Sequence, residues 1–394
     1  MACVDTPIIP TIAAMVRDNP GCISLGQGVV SYGPPHDAVA ALPALMADSQ
    51  LHRYQPVVGM PALIEAITGK LRTVNRVEVS AASRLMVTAG SNMAFLQAVL
   101  AVSEPGDEFI LPLPYYFNQE MAIRTCGCVP VTVQCKPDFQ LDVEAIAAAI
   151  TARTRAVVTV SPNNPTGAVY RPEDLSAVNA LCRAHRLYHF SDEAYECFTY
   201  AGARHFSPAS LPGAEDYSLS FYSFSKHYGM ASWRVGYLQY PAHLHQAMHK
   251  VQDTNLICAP VISQLLACEI LRRPAPWIDA RVAELDQVRR AVYRVLDTLA
   301  PLAHYVPTEG AFYTMVRLPG VHDVLAFNAF LAAHYKVACI PGFAFGMHDT
   351  AEANYQRLSY GALAPETVVE GVSRFAAGVR AWYAQHPPTQ RAPV

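Results

Sequence analysis

The sequence predicts an α/β fold, a mostly parallel sheet flanked by helices, followed by a smaller α+β unit. Two observations in the middle of the chain carry this reading. Short apolar runs alternate there with longer segments of helical period, and the order βαβα implies parallel strands covered by helices on both sides. Most of the runs are continuously apolar rather than alternating, as expected of strands buried on both faces.

Taken in order, the strands fall at RLMVT (84–88), EFILP (108–112), RAVVTVS (155–161), LYHFS (187–191), YSLSFYS (217–223) and VGYLQY (235–240). Helical patterns lie between them at NMAFLQAVLAV (92–102), VEAIAAAI (143–150) and PEDLSAVNALCRAH (172–185). Toward the end the character changes. A long helical pattern at 277–300 leads into GAFYTMVRL, another helix, then VACIPG and YQRLSYGA, which together read as an α+β unit. We expect a large domain at 46–290 and a small domain at 291–394, with residues 1–45 packing on the latter. The polar tail HPPTQRAPV (386–394) reads as frayed.

Composition removes several function classes. At 394 residues, with 52% hydrophobic and 15% charged content, the chain suits a folded protein of two units rather than a disordered one. A net charge of −3 without clustered lysine or arginine gives no electrostatic footprint for nucleic acid or an anionic membrane. No stretch approaches the roughly 20 apolar residues that span a bilayer, and the N-terminus lacks the basic and apolar regions of a signal peptide. The ten cysteines are scattered, with Cys126 and Cys128 the one close pair, which suggests reduced thiols in a cytoplasmic protein. A lone Cys-x-Cys and histidines without ligand spacing give no metal site.

In open α/β sheets, ligands sit beyond the carboxyl ends of the strands. Here those ends carry AGSN (89–92), PNNPTG (162–167), DEAY (192–195) and FSK (224–226), with Arg234 eight residues after Lys226. Each type of group suits one task. Backbone N–H groups after Gly90, the hydroxyls of Ser91, Ser223 and Ser225, and the fork of Arg234 suit a phosphate. A lysine among apolar residues loses its proton easily and can attack an aldehyde. A buried aspartate wants a protonated partner, and the pyridine nitrogen of pyridoxal 5'-phosphate is one. Asn164 and Tyr195 would hydrogen-bond that cofactor's phenolic oxygen.

The motifs HRYQPVVGMPALIEAI, VTAGSN, LPLPYY, SPNNPTG, SDEAYE, YSFSKHYGMASWRVGY, EGAFY and RLSYGA span nearly the whole chain. With them the sequence resembles the class I/II aminotransferases, fold-type I pyridoxal-phosphate enzymes. The resemblance implies a seven-stranded sheet in the large domain. It implies Lys226 as the Schiff-base lysine and the acid/base of the 1,3-proton shift, and Asp192 as the partner of the pyridinium. It places Asn164 and Tyr195 on the phenolic oxygen, Ser91, Asn92, Ser223 and Arg234 in the phosphate cup, and Tyr116 stacked on the ring. Arg357 would grip the substrate α-carboxylate in a fork, beside the backbone of Gly26. Tyr54 would be lent to the phosphate by a neighbouring subunit, which implies a homodimer.

The reaction so implied is transfer of an amino group from an L-α-amino acid to a 2-oxo acid in two half-reactions. Two other readings stay open. The same site could eliminate, replace or cyclise, a possibility raised by Val29-Val30-Ser31-Tyr32 and Phe343, which depart from the family pattern near the substrate. A non-catalytic sensor is disfavoured because no basic helix-turn-helix segment is found. With no second arginine placed for a dicarboxylate, a neutral or aromatic amino acid is the expected donor.

Overall fold

The computed structural model describes residue 4 and residues 6–273, 276–348 and 354–386. All but the first residue of the expected frayed tail lies outside them. The seven strands of the main sheet are interleaved with helices that begin and end where local chemistry allows. The helix Pro172–His185 shows why: proline stands in its first turn with Glu173 and Asp174 behind it, Arg183 and His185 occupy its last turn, and Arg186 closes it in the left-handed region. Each placement favours the N–H-rich start or the carbonyl-rich end of the helix dipole.

The strands are β2 (Ser83–Thr88), β3 (Glu108–Leu113), β4 (Val129–Gln134), β5 (Thr154–Val160), β6 (Tyr188–Asp192), β7 (Ser218–Ser223) and β8 (Gly236–Pro241), with β1 (Ile23–Ser24) outside this sheet. Their order is β2-β8-β7-β6-β5-β3-β4. Only β8 runs against the others, being antiparallel to both β2 and β7. Six of the seven match the expected runs to within a residue or two. β4 was not anticipated: its run VPVTVQ is exposed or half-buried except at Val133 and contains Pro130, which sequence rules assign to edges, and it is an edge strand.

Register sets the site. Thr88 and Ser223 both pair with Gly236, so the end of β2, the end of β7 and the start of β8 meet at one level. Val160 pairs with Asp192, and Asp192 with Phe221. The expected polar residues therefore share one edge of the sheet.

Residues 304–359 form a second, antiparallel sheet from β9 (His304–Tyr305), β10 (Tyr313–Leu318), β12 (Ile340–Pro341) and β13 (Asn354–Ser359), in the order β12-β13-β10-β9. β11 (Val337–Ala338) pairs in parallel with β1, tying the N-terminal segment to this region. Residue 290 lies inside a helix that runs unbroken from Pro276 to Asp297. That helix and the helix Pro365–Gln385 cover the second sheet over a core that includes Phe312, Phe327, Leu358 and Phe375. Burying each such side chain contributes about 1.5–3 kcal/mol. The nine described cysteines are free thiols, and no helix among the described residues is long and apolar enough to cross a membrane.

Candidate active site

Ten expected residues line one cavity at the sheet edge: Ser91, Asn92, Tyr116, Asn164, Asp192, Tyr195, Ser223, Ser225, Lys226 and Arg234. Arg357 reaches the same place from β13. Its guanidinium donates to Asn164 Oδ1 at 2.9 Å and to the Gly26 carbonyl at 2.6 Å, so Gly26, Asn164 and Arg357 form one linked group. Tyr54 is not brought there; its side chain is 80% exposed on this chain.

Lys226 leaves β7 just past the turn Ser223–Ser225, where the Ser225 N–H donates to Ser223 Oγ at 3.1 Å. Its ammonium donates to the Gly28 carbonyl at 2.6 Å and lies 5.7 Å above the Tyr195 ring. Burial first, then Arg357 and Arg234, push its pKa down to about 8, against the pull of Asp192. Asp192 moves the other way. Burial raises its carboxyl to about 6, although the Ala194 N–H (3.1 Å) and the Gln119 amide (2.7 Å) donate to it. Each charge is held short of the solvation it would have in water.

The two asparagines of PNNPTG have separate tasks. Asn163 builds the turn, its Oδ1 accepting from the Thr166 N–H at 3.0 Å and the Thr166 hydroxyl at 2.8 Å. Asn164 faces the cavity and donates to the Tyr195 hydroxyl at 3.2 Å. That hydroxyl also lies 2.8 Å from the hydroxyl of Tyr313, and burial keeps the Tyr195 phenol protonated well beyond its ordinary range.

The helix Ser91–Val102 opens on Gly90 without a side-chain cap, so its first N–H groups point at the cavity mouth. Gly90 has φ +85°, and a Cβ there would lie 2.3 Å from Arg234 Nη2. A Cβ on Gly236 would meet the Ser91 nitrogen at 2.7 Å. Two glycines thus clear a cradle between a helix start and an arginine, the combination that holds a phosphate.

Several site residues escaped the sequence reading. Gln119 is buried and braces Asp192; Val160 and Ala194 complete the cavity wall. Tyr313 holds Tyr195 and lies under the Arg357 guanidinium at 4.6 Å, with Phe345 on that group at 4.9 Å. EGAFY marked Tyr313 as part of a motif but gave it no role. Phe343 lines a different cavity, beside Tyr115 and Phe117. The Tyr32 ring packs edge-on against Trp277.

This donor set fits pyridoxal 5'-phosphate: a cradle for its phosphate, a carboxylate short of a cationic partner, a phenol and an amide side by side, and a lysine of lowered pKa. A family model described as aminotransferase class I and II matches residues 20–375. The chain belongs to that family. Its members are pyridoxal-phosphate enzymes, and the protein is a pyridoxal-phosphate-dependent transferase that moves an amino group from an amino acid to a 2-oxo acid. It is 33% identical to an aspartate aminotransferase of Pyrococcus abyssi, with 92% of each chain covered. It is 35% identical to a probable aspartate/prephenate aminotransferase of Aquifex aeolicus, over 89% of each. The solved aromatic aminotransferase of Pyrococcus horikoshii superposes with a TM-score of 0.85 at 30% identity, covering 95% of this chain and 99% of that one.

Proposed function

We propose that this enzyme takes a neutral or aromatic L-α-amino acid as donor, with Lys226 as its catalytic amine. The opposed pKa shifts of Lys226 and Asp192 across one cavity carry this reading. When bound, pyridoxal phosphate supplies an aldehyde carbon and a protonated ring that draws electrons from the substrate's Cα. The chain supplies the rest. Lys226 would hold the cofactor's aldehyde carbon, and its free amine would serve as the acid/base for the Cα proton. Asp192 keeps the ring nitrogen protonated and is itself held in line by Gln119 and the Ala194 N–H. Asn164 and Tyr195 would hydrogen-bond the phenolic oxygen, and Tyr116 would stack on the ring, with Val160 in the same cavity wall. Ser91, Asn92, Ser223, Ser225 and Arg234 hold the phosphate. Arg357 binds the donor's α-carboxylate beside Gly26, exchanging its carbonyl partner for a stronger anionic one.

The donor preference rests on the aromatic rings around Arg357 and on similarity to an aromatic aminotransferase. All the relatives named above are aminotransferases, which favours transfer over elimination. Tyr54 serves the phosphate of a second copy in a homodimer, a role its exposure supports. We place the enzyme in the cytoplasm and in biosynthetic amino-acid metabolism. We also retain a division into residues 1–45, 46–290 and 291–394, supported for the first segment by the pairing of β1 with β11. Incubating the loaded enzyme with single amino acids tests the donor. Phenylalanine and tyrosine should release their 2-oxo acids faster than aspartate does, and a preference for aspartate would overturn the assignment.

A further inference from the structure

A cleft of about 510 Å³ lies behind the active site, between the end of β3, the loop after β4 and the far end of the second sheet. Its floor is apolar, with Phe139, Met315, Met347, Tyr305 and Tyr355. Its formally charged lining side chains are Lys136 and Arg317, with the imidazoles of His304 and His348 beside them. Among the described residues that line the cleft there is no carboxylate, so its own formal charge is positive in a chain of net charge −3.

Strand register sharpens this. His304 stands directly opposite Arg317 on the adjacent strand, and Tyr355 flanks Arg317 on the other side. Arg317 is thus flanked across the sheet by an imidazole and a phenol rather than by a carboxylate. The Arg317 side chain makes no hydrogen bond or ion pair among the described residues. Lys136 has only a loose one, 3.9 Å from Asp174. The Phe139 and Tyr355 rings meet edge to face at 6.5 Å in the same cleft.

The cleft is also joined to the catalytic site. Side chains alternate along a strand, so Tyr313, Met315 and Arg317 share one face of β10, as Tyr355 and Arg357 do on β13. One end of this face holds the substrate-side group Arg357–Tyr313; the other lines the cleft. The partition between them is the loop 342–347. In it Phe345 lies against Arg357, its carbonyl accepts from the Tyr115 N–H at 3.1 Å, and Gly346 packs on Leu113 and Tyr115.

We propose that this cleft is a second ligand site, taking a small aromatic carboxylate that alters amino-acid binding through the Phe345 partition. The volume is within the range of small-molecule sites. The anion would sit between Arg317, His304 and Lys136, with its ring on Phe139 and Tyr355.

Calorimetric titration of the loaded enzyme with 1-naphthoate tests this. The wild type should bind the probe, and Arg317→Gln with Lys136→Gln should weaken binding by about tenfold or more. Arg357→Ala should retain cleft binding. Saturating probe should change KM for the amino donor in the wild type and leave it unchanged in the double variant. Absence of binding, or binding lost in Arg357→Ala and kept in the double variant, would overturn the proposal. Neither result bears on Lys226, whose role is read separately by chemical labelling.

Discussion

Lys226 and Asp192 set the energetic character of the site. A lysine with a pKa pushed down to about 8 opposes folding while protonated, so its cost is full below that pH and fades as pH climbs toward 10.5. An aspartate raised to about 6 opposes folding while ionised, so its cost is absent below 3.8 and complete above about 6. Asp192→Asn should therefore stabilise the cofactor-free protein at pH 7 by roughly 3 kcal/mol, with the gain vanishing near pH 4. Gln119 can turn its amide to accept from the new Asn, because its Oε1 has no partner in the wild type. Thermal denaturation at the two pH values checks this; loss of stability at pH 7 would contradict it. The same variant should bind pyridoxal phosphate more weakly. For Arg357→Ala, KM for the amino donor should rise about a hundredfold, with cofactor affinity nearly unchanged. Equal losses in both would remove the carboxylate role. Lys226, Asp192 and Asn164 could be grouped from the sequence because each stands at or just past the end of a strand, where the fold rule puts ligands. Gln119 and Tyr313 were not, since they meet their partners across 73 and 118 residues of chain.

Secondary-structure elements contribute by their ends. The helix Ser91–Val102 is aimed by Gly90, whose backbone conformation and contact with Arg234 both exclude a side chain. Gly90→Ala should weaken cofactor binding by at least about tenfold, measured by equilibrium titration, while leaving the helical signal intact. Wild-type affinity would show that the cradle has room to spare. Behind the sheet, Lys70 pairs with Glu196 at 2.5 Å, and Asn75 donates to the other Glu196 oxygen at 2.7 Å. The pair anchors the segment that carries Asp192 and Tyr195 to the end of the helix Pro61–Lys70. Lys70→Met should cost about 3–5 kcal/mol by leaving Glu196 unpaired, and adding Glu196→Gln should recover much of it. Denaturant unfolding of the three proteins reads the difference. None of this network was visible in the sequence, because spacing along the chain says nothing about Lys70 meeting Glu196. β4 was missed for another reason: Pro130 argued against a strand, and edge position is what makes the proline tolerable.

The assembled molecule brings together two kinds of sheet for different purposes. The mostly parallel sheet brings Asn164, Asp192 and Lys226 to one cavity, and the antiparallel sheet carries Arg357 across to it from 193 residues beyond Asn164. The alternation of strands and helices made the first sheet readable. The short strands of the second gave little periodicity, so only the change in pattern near 277 marked it. If the proposed homodimer carries Tyr54 to the partner's phosphate, Tyr54→Phe should lower phosphate affinity without dissociating the dimer, as sedimentation would show. All of these roles depend on which amine holds the cofactor. Borohydride reduction of the loaded enzyme, followed by peptide mapping, settles that among five lysines. A pyridoxyl group on Lys226 is the predicted result; a label on Lys70, Lys136, Lys250 or Lys336, with Lys226 unmodified, would contradict the account.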